Sequence, residues 1–451
     1  MLFSSFEFLF RFLPVFLVIY YLTPKKFRNV TLLGGSIVFY TIGEAGYITI
    51  LLACVLVNYT LTRLMYRKNT DGRGIRQKRL LLLALGYDLG VLFFFKYSGL
   101  ASGLPLGISF YTFQIMAYVI DVYRGRIPAE QSLLRLGTYL TMFPQLISGP
   151  ITNYADVRVA LGRERTIKAR QLEEGMKLLI IGLAAKVVIA DRIGTLWNSM
   201  RMIGFDSIST KLAWMGAFAY SLQLYFDFAG YSMMARGIGK MLGFELPVNF
   251  RYPYISKSVT EFWRRWHITL GRWFREYVYI PLGGNRKGKA RTFFNLFVVW
   301  SLTALWHGAN YNFLIWGGIL LCCLLVEKLF LLRLLDKSRV IGHLYVLFVV
   351  PLSWVAFAVT DLSELGVYMT RLFPFAGHAA GVINHLDYIK YLNDYAPLFL
   401  LGVLFATPLP ETCYRLIERK WIGRVILLGI FGLCMYYLAV SANNPFLYFN
   451  F

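Results

Sequence analysis

Runs of about 20 apolar residues, long enough to cross a bilayer as a helix, recur along the whole chain with short polar segments between them. The pattern predicts crossing helices near residues 3–23, 29–45, 47–65, 80–97 and 106–123, and again near 172–193, 211–236, 341–359, 396–410 and 422–440. Residues 133–150 are apolar but short, and Pro144, Gly149 and Pro150 interrupt them, so a re-entrant or half-buried helix is expected there. Segments 292–306 and 311–326 should form a hairpin around His307. The fold class this implies is an all-α polytopic membrane protein, with about 10–12 transmembrane helices plus re-entrant and interfacial helices.

Charge adds an orientation. In 451 residues, 47 Lys and Arg stand against 24 Asp and Glu, a net charge of +23. In a soluble protein that excess would point to nucleic acid. Here it falls in the loops at 25–28, 67–79, 124–126, 156–170, 251–291, 328–339 and 415–420, where the positive-inside rule accounts for it. Those loops are then cytoplasmic and both termini extracytoplasmic; membrane lipid is the expected surrounding and nucleic acid is not an expected partner. The first 22 residues lack a basic leader and a small-residue cleavage site, so they should be a retained span. Five scattered cysteines show no CxxC or CxxH spacing, and neither a metal site nor a disulfide framework is expected.

The chemistry-bearing residues concentrate between Asn249 and Trp316. Ser258 and Glu261 have capping-box spacing, and behind them Phe262, Trp266, Leu270, Trp273 and Tyr277 recur every three or four residues. This predicts an amphipathic helix at the membrane interface, with Arg264, Arg265, Arg272 and Arg275 largely off the apolar stripe. It either anchors the chain or builds a basic wall at the mouth of a pocket for an anionic donor. His267, one step from Trp266, can face either way. His307 lies in Leu305-Trp306-His307-Gly308-Ala309-Asn310, between two apolar segments. An ionisable residue at membrane depth is by default functional, and burial favours the neutral form that a general base needs. The plain alternative is a histidine bonded between helices as packing glue. Asp227 stands alone in its span and is expected to pair with a cytoplasm-side arginine, such as one of the 264–275 helix; Asp121 has the same reading. His343, His378 and His385 read as structural or solvated.

Several chemistries are excluded. Gly283 to Lys289 fits G-x-x-x-x-G-K, but Ala290 follows where a phosphate-binding loop needs Ser or Thr. Gly237, Gly239 and Gly243 miss the dinucleotide spacing, and neither G-x-S-x-G nor H-E-x-x-H occurs. A secondary transporter is kept as the less favoured alternative, since it would show paired broken helices in two halves and the chain has no internal repeat.

Five ordered motifs carry a resemblance: Gln223-Leu-Tyr-Phe-Asp-Phe-Ala-Gly-Tyr-Ser232, Asn249-Phe-Arg-Tyr-Pro-Tyr254, Phe262-Trp-Arg-Arg-Trp-His267, Pro281-Leu-Gly-Gly-Asn-Arg286 and Trp306-His-Gly-Ala-Asn310. Together they resemble the bacterial branch of the membrane-bound O-acyltransferase (MBOAT) family, and the opening Met1-Leu-Phe-Ser-Ser, Gly107-Ile-Ser-Phe110 and Ile120-Asp-Val-Tyr-Arg124 resemble its alginate O-acetylating members. The resemblance implies one membrane domain over residues 1–451 with a central channel: N-terminal helices 1–132, a catalytic core 133–340, C-terminal helices 341–440 and an extracytoplasmic aromatic tail 441–451.

It further implies transfer of an acyl group, most simply acetyl, from a cytoplasmic thioester such as acetyl-CoA to an extracytoplasmic polysaccharide, with no tightly bound cofactor. His307 corresponds to the family's catalytic histidine and His267 to its second histidine. Arg264, Arg265, Arg272, Arg275 and Trp266 would line the donor side, and Asp227, Trp306 and Asn310 the channel. Met233, Glu276 and Gly271 depart from the family pattern, which commonly has an acidic residue, Asp and Ser there. The ending Phe446-Leu-Tyr-Phe-Asn-Phe451 resembles the aromatic tails of some family members; Tyr448 is expected to take the acyl group there as a phenyl ester, with an interfacial aromatic anchor as the alternative reading. A secreted or membrane-anchored SGNH-like acetyltransferase or esterase is the expected partner, a bacterial cytoplasmic membrane the expected location, and D-alanyl transfer to teichoic acid the nearest alternative.

Overall fold

The computed structural model describes residues 1–66, 74–100, 103–376, 383–418 and 420–440, and these residues are helices, turns and loops with no strand among them. Five helical stretches among them are long and apolar enough to cross a membrane: Lys25–Met65, Ile75–Tyr97, Tyr311–Leu335, Arg339–Ala358 and Trp421–Val440. The pair Asp387–Phe405 and Leu409–Arg415, bent by 69°, makes a sixth if counted as one span. A turn at Ala45–Tyr47 divides the first stretch into the helices Arg28–Glu44 and Ile48–Met65. Large apolar side chains such as Val38, Phe93, Leu344 and Leu428 point outward from these helices, which suits a hydrocarbon solvent and not water. This is a multi-pass membrane protein.

The chain forms two compact units, each assembled from separate stretches. Unit one comprises Met1–Gly182, Tyr231–Val248 and Arg275–Tyr277. At its centre is Ile108–Tyr123; all its residues except Ile120 and Tyr123 are buried, so protein rather than lipid surrounds this helix. The 133–150 stretch gives two short helices, Leu133–Thr141 and Phe143–Leu146, too short to cross, as its prolines and glycines suggested. Phe143 packs edge-on against Phe12 and Phe16, with ring centroids 5.5 and 5.3 Å away. Gly237 serves packing: a Cβ there would lie 2.5 Å from the Gly175 carbonyl oxygen, so the helices Ala169–Ala184 and Thr210–Met241 touch backbone to backbone. Asp121 pairs with Arg126 at 3.2 Å and accepts a hydrogen bond of 2.8 Å from the Tyr277 hydroxyl.

Unit two comprises Leu183–Gly230, Asn249–Phe274 and Val278–Phe451. The predicted hairpin is present as Gly288–His307 and Tyr311–Val326, with Arg339–Ala358 packed against it. Six of the ten tryptophans, all ten lying among the described residues, gather here: Trp263, Trp266, Trp300, Trp306, Trp316 and Trp354. Trp263 lies 5.0 Å from Trp300 and 5.8 Å from Trp316, and Trp266 lies 4.9 Å from Trp354. These edge-to-face and tilted pairs favour one fixed arrangement of the rings over a fluid apolar core. After Arg339–Ala358 comes the helix Leu362–Leu372, started by Asp361, whose carboxylate accepts from the Ser363 and Glu364 amides.

Candidate active site

The predicted amphipathic helix begins where expected. Ser258 Oγ accepts from the Glu261 amide at 3.0 Å, while the Glu261 carboxylate reaches back to the Lys257 amide at 3.0 Å. A second carboxylate, passed over in the sequence, completes the cap. Glu327 is 1% exposed and accepts from the Val259 amide (2.5 Å), the Thr260 amide (2.8 Å) and the Thr260 hydroxyl (2.5 Å). It belongs to the π-helical turn Glu327–Leu331 that continues the second arm of the hairpin, so the hairpin itself holds the start of this helix.

The helix then breaks, where an unbroken one was expected. Val259–Arg265 ends at an extended Trp266, His267 takes a left-handed backbone (φ 43°), and Ile268–Phe274 begins afresh. Among the described residues only Tyr252 shares that conformation without being glycine. A side chain held there is strained, and the surrounding bonds explain why it persists. The Ile268 amide donates to the Asn249 carbonyl (2.9 Å) and the Arg251 amide to the Arg265 carbonyl (2.9 Å), so residues 249–251 run alongside the break and brace it. The apolar stripe survives: Phe262, Trp266, Leu270, Trp273 and Tyr277 are all buried.

The break turns His267 inward, where it is 3% exposed. Its ring stands edge-on to Phe228 at 4.8 Å and lies 6.2 Å from Trp306. Burial pushes its pKa down to about 3, so the imidazole is neutral at physiological pH. Its Nδ1 lies 3.2 Å from Asn249 Oδ1. Trp306 links the two histidines, its ring 6.2 Å from His267 and 4.8 Å from His307.

His307 is the last residue of the 20-residue helix Gly288–His307 and is 7% exposed. Besides Trp306, the rings of Trp316 (5.0 Å), Phe357 (5.1 Å) and Phe313 (6.2 Å) enclose it. Gly308 permits this enclosure, because a Cβ there would meet the Phe313 ring at 2.4 Å. At a helix C-terminus the carbonyl ends carry partial negative charge, which favours positive charge on the imidazole as it takes a proton. Asn310 is exposed and occupies the start of the next helix, Tyr311–Val326.

The basic residues are dispersed. Arg264 and Arg275 are exposed, Arg272 is half-buried, and Arg265 is held by Glu261 at 2.7 Å. Asp227 requires a correction: where a cytoplasm-side arginine was expected, Lys186 pairs with it at 2.7 Å. Lys186 sits in the π-helical turn Ala185–Ala190 and also meets Asp191 at 2.5 Å. One lysine between two carboxylates inside an apolar run gave no sequence signal beyond its own charge. His343 Nδ1 lies 3.2 Å from the Ser256 carbonyl and His385 is exposed, in keeping with structural and solvated roles. Tyr448 and His378 lie outside the described residues. No group of three or more potential metal ligands occurs among the described residues.

Comparison with known proteins places these residues in context. The sequence profile of the membrane-bound O-acyltransferase family matches residues 37–360. A protein of Pseudomonas putida described as "Probable alginate O-acetylase AlgI" is 35% identical over the full length of both chains. The peptidoglycan O-acetyltransferase of Helicobacter pylori is 30% identical over 100% of this chain and 98% of its own. The teichoic acid D-alanyltransferase of Bacillus subtilis is 32% identical over 48% of this chain and 58% of its own.

Proposed function

Because the chain belongs to the membrane-bound O-acyltransferase family, we propose that it moves an acetyl group from a cytoplasmic thioester to an extracytoplasmic polysaccharide, with His307 as general base. Acyl transfer to polysaccharide is the activity its full-length relatives share. The observation that carries the assignment to His307 is its enclosure: a buried imidazole at a helix end, walled by four aromatic rings in the sequence stretch richest in motifs. An enclosed aromatic site strengthens the electrostatic work of the imidazole and protects a thioester from water.

In the proposed step an acceptor hydroxyl gives its proton to His307 while its oxygen forms a bond to the thioester carbonyl carbon. The carbon–sulfur bond breaks, and the departing thiolate recovers the proton from the imidazolium. The products are an ester and a free thiol. Base catalysis of this kind contributes roughly 10²–10⁴-fold, with positioning supplying the rest. Acetyl-CoA is the donor that fits an O-acetylating relative, and the exposed Arg264 is available for its phosphates. The acceptor is either Tyr448, acting as an intermediate phenyl ester, or a hydroxyl of a partner protein resembling an SGNH-fold esterase. Similarity to O-acetylating relatives extends over the whole chain, whereas the D-alanylating relative matches about half of it, which favours acetyl as the cargo. The basic loops support a donor side in the cytoplasm and both termini outside, in a bacterial cytoplasmic membrane.

The test is the ester content of surface polysaccharide in cells whose own gene is replaced. His307→Ala should abolish the ester while the protein remains in the membrane at its normal level; retained ester would refute the assignment. In the same cells, full ester with Tyr448→Phe would leave His307 in place and remove the relay.

A further inference from the structure

The hydrogen bonds around Asn249 determine which nitrogen of His267 carries the proton. Asn249 is 1% exposed, and its Oδ1 is shared by three groups: the Thr269 amide at 3.2 Å, the Thr269 hydroxyl at 2.9 Å and His267 Nδ1 at 3.2 Å. The Thr269 amide can only donate, so the Asn249 atom facing all three is the carbonyl oxygen and not the amide nitrogen. An oxygen that only accepts requires the third group to donate as well. His267 Nδ1 therefore bears the hydrogen. A neutral imidazole has one N–H, so Nε2 carries a lone pair. That Nε2 is buried and has no hydrogen-bond partner among the described residues.

We infer that Asn249 is a positioning residue that fixes His267 as the Nδ1–H tautomer, so that His267 Nε2 receives an N–H or O–H of the bound substrates. The inference rests on the reading of this site as an acyl-transfer centre. It also assigns His267 a role that proximity alone does not. A bare lone pair cannot donate to the oxyanion that develops on a thioester carbonyl, so His267 is an acceptor in this chemistry. The proton of the attacking hydroxyl goes to His307, so the group held by His267 is a different one, such as an amide N–H in the donor's arm or a neighbouring hydroxyl of the glycan. Asn249 opens the motif Asn249-Phe-Arg-Tyr-Pro-Tyr254, and its place 18 residues before His267 is explained by the pairing of 249–251 with 265–268.

The chain has only five histidines, which makes the tautomer directly observable. Nitrogen NMR of the full-length protein in detergent, with isotope-labelled histidine, separates protonated from lone-pair ring nitrogens, and a His267→Gln sample identifies the His267 signals. The expected spectrum has a protonated Nδ1 and a bare Nε2 at His267. A protonated Nε2 would overturn the inference, and that outcome does not depend on whether His307 is the base. Asn249→Asp keeps the accepting oxygen and should keep the tautomer. Asn249→Leu should give mixed tautomers and lower kcat by roughly 10–100-fold, the range seen when a hydrogen-bond partner that orients a histidine is removed. If Asn249 served only to start the Ile268–Phe274 helix, Asn249→Leu would lower thermal stability with the His267 signals and kcat unchanged. The inference stays falsifiable even if Asn249→Leu is poorly produced, because the spectrum of the natural chain alone decides which His267 nitrogen is protonated.

Discussion

At the residue scale the decisive features are single polar groups placed where no solvent reaches them. His307 was legible in the sequence because an ionisable side chain interrupts an apolar run, and the structure encloses it as that signal implied. The orientation of His267 was not legible. It depends on a left-handed backbone at one residue and on a side chain 18 positions earlier, and neither leaves a periodic trace. Lys186 is the clearest omission: one lysine in an apolar helix, 2% exposed, between Asp191 and Asp227. Removing one member of a buried ion pair costs roughly 3–5 kcal/mol, because the opposite charge stays buried. Lys186→Met strips the shared cation from two carboxylates and should markedly lower the unfolding temperature in detergent. Lys186→Met combined with Asp191→Asn and Asp227→Asn should recover part of the loss. An unchanged unfolding temperature in Lys186→Met would mean that the ion pairs contribute little.

At the scale of elements, hydropathy located most helices to within a few residues, since a membrane helix announces itself by length and apolarity. The errors have a common cause. A helix buried by protein and a helix facing lipid have the same composition, so hydropathy did not reveal that Ile108–Tyr123 is enclosed by protein. An aromatic stripe also persists across a break, so the helix after Ser258 looked continuous and is two short pieces. What holds the first piece is equally non-local: Glu327, 68 residues after Val259, caps its opening turn. Hydrogen bonds to a charged group contribute about 1.5–3 kcal/mol each, less where the cap is part of a larger network. Glu327→Ala should therefore loosen Val259–Arg265 selectively. Hydrogen exchange would show faster exchange in that helix than in Arg339–Ala358, whereas equal protection in both would show that the cap is dispensable.

For the whole molecule, the sequence disclosed a helical membrane protein, and the family match and the described helices agree with it. It did not disclose how distant stretches combine. Each compact unit draws on three pieces of chain, and a boundary between them falls inside the single helix Thr210–Met241. Assembly from dispersed segments has no local signature, because no single window contains the interacting residues. The same distribution brings Asn249, the Trp266–His267 break, the Trp306–His307 helix end and Glu327 together in unit two. The central claim is that this group moves an acyl group from a cytoplasmic thioester to an acceptor outside, with His307 as the base. Right-side-out vesicles loaded with radiolabelled acetyl-CoA and supplied externally with the polysaccharide and its partner protein measure this directly. External ester label should appear with the natural chain and stay at background with His307→Ala. Equal labelling by His307→Ala, or labelling only when acetyl-CoA is supplied from outside, would contradict the account.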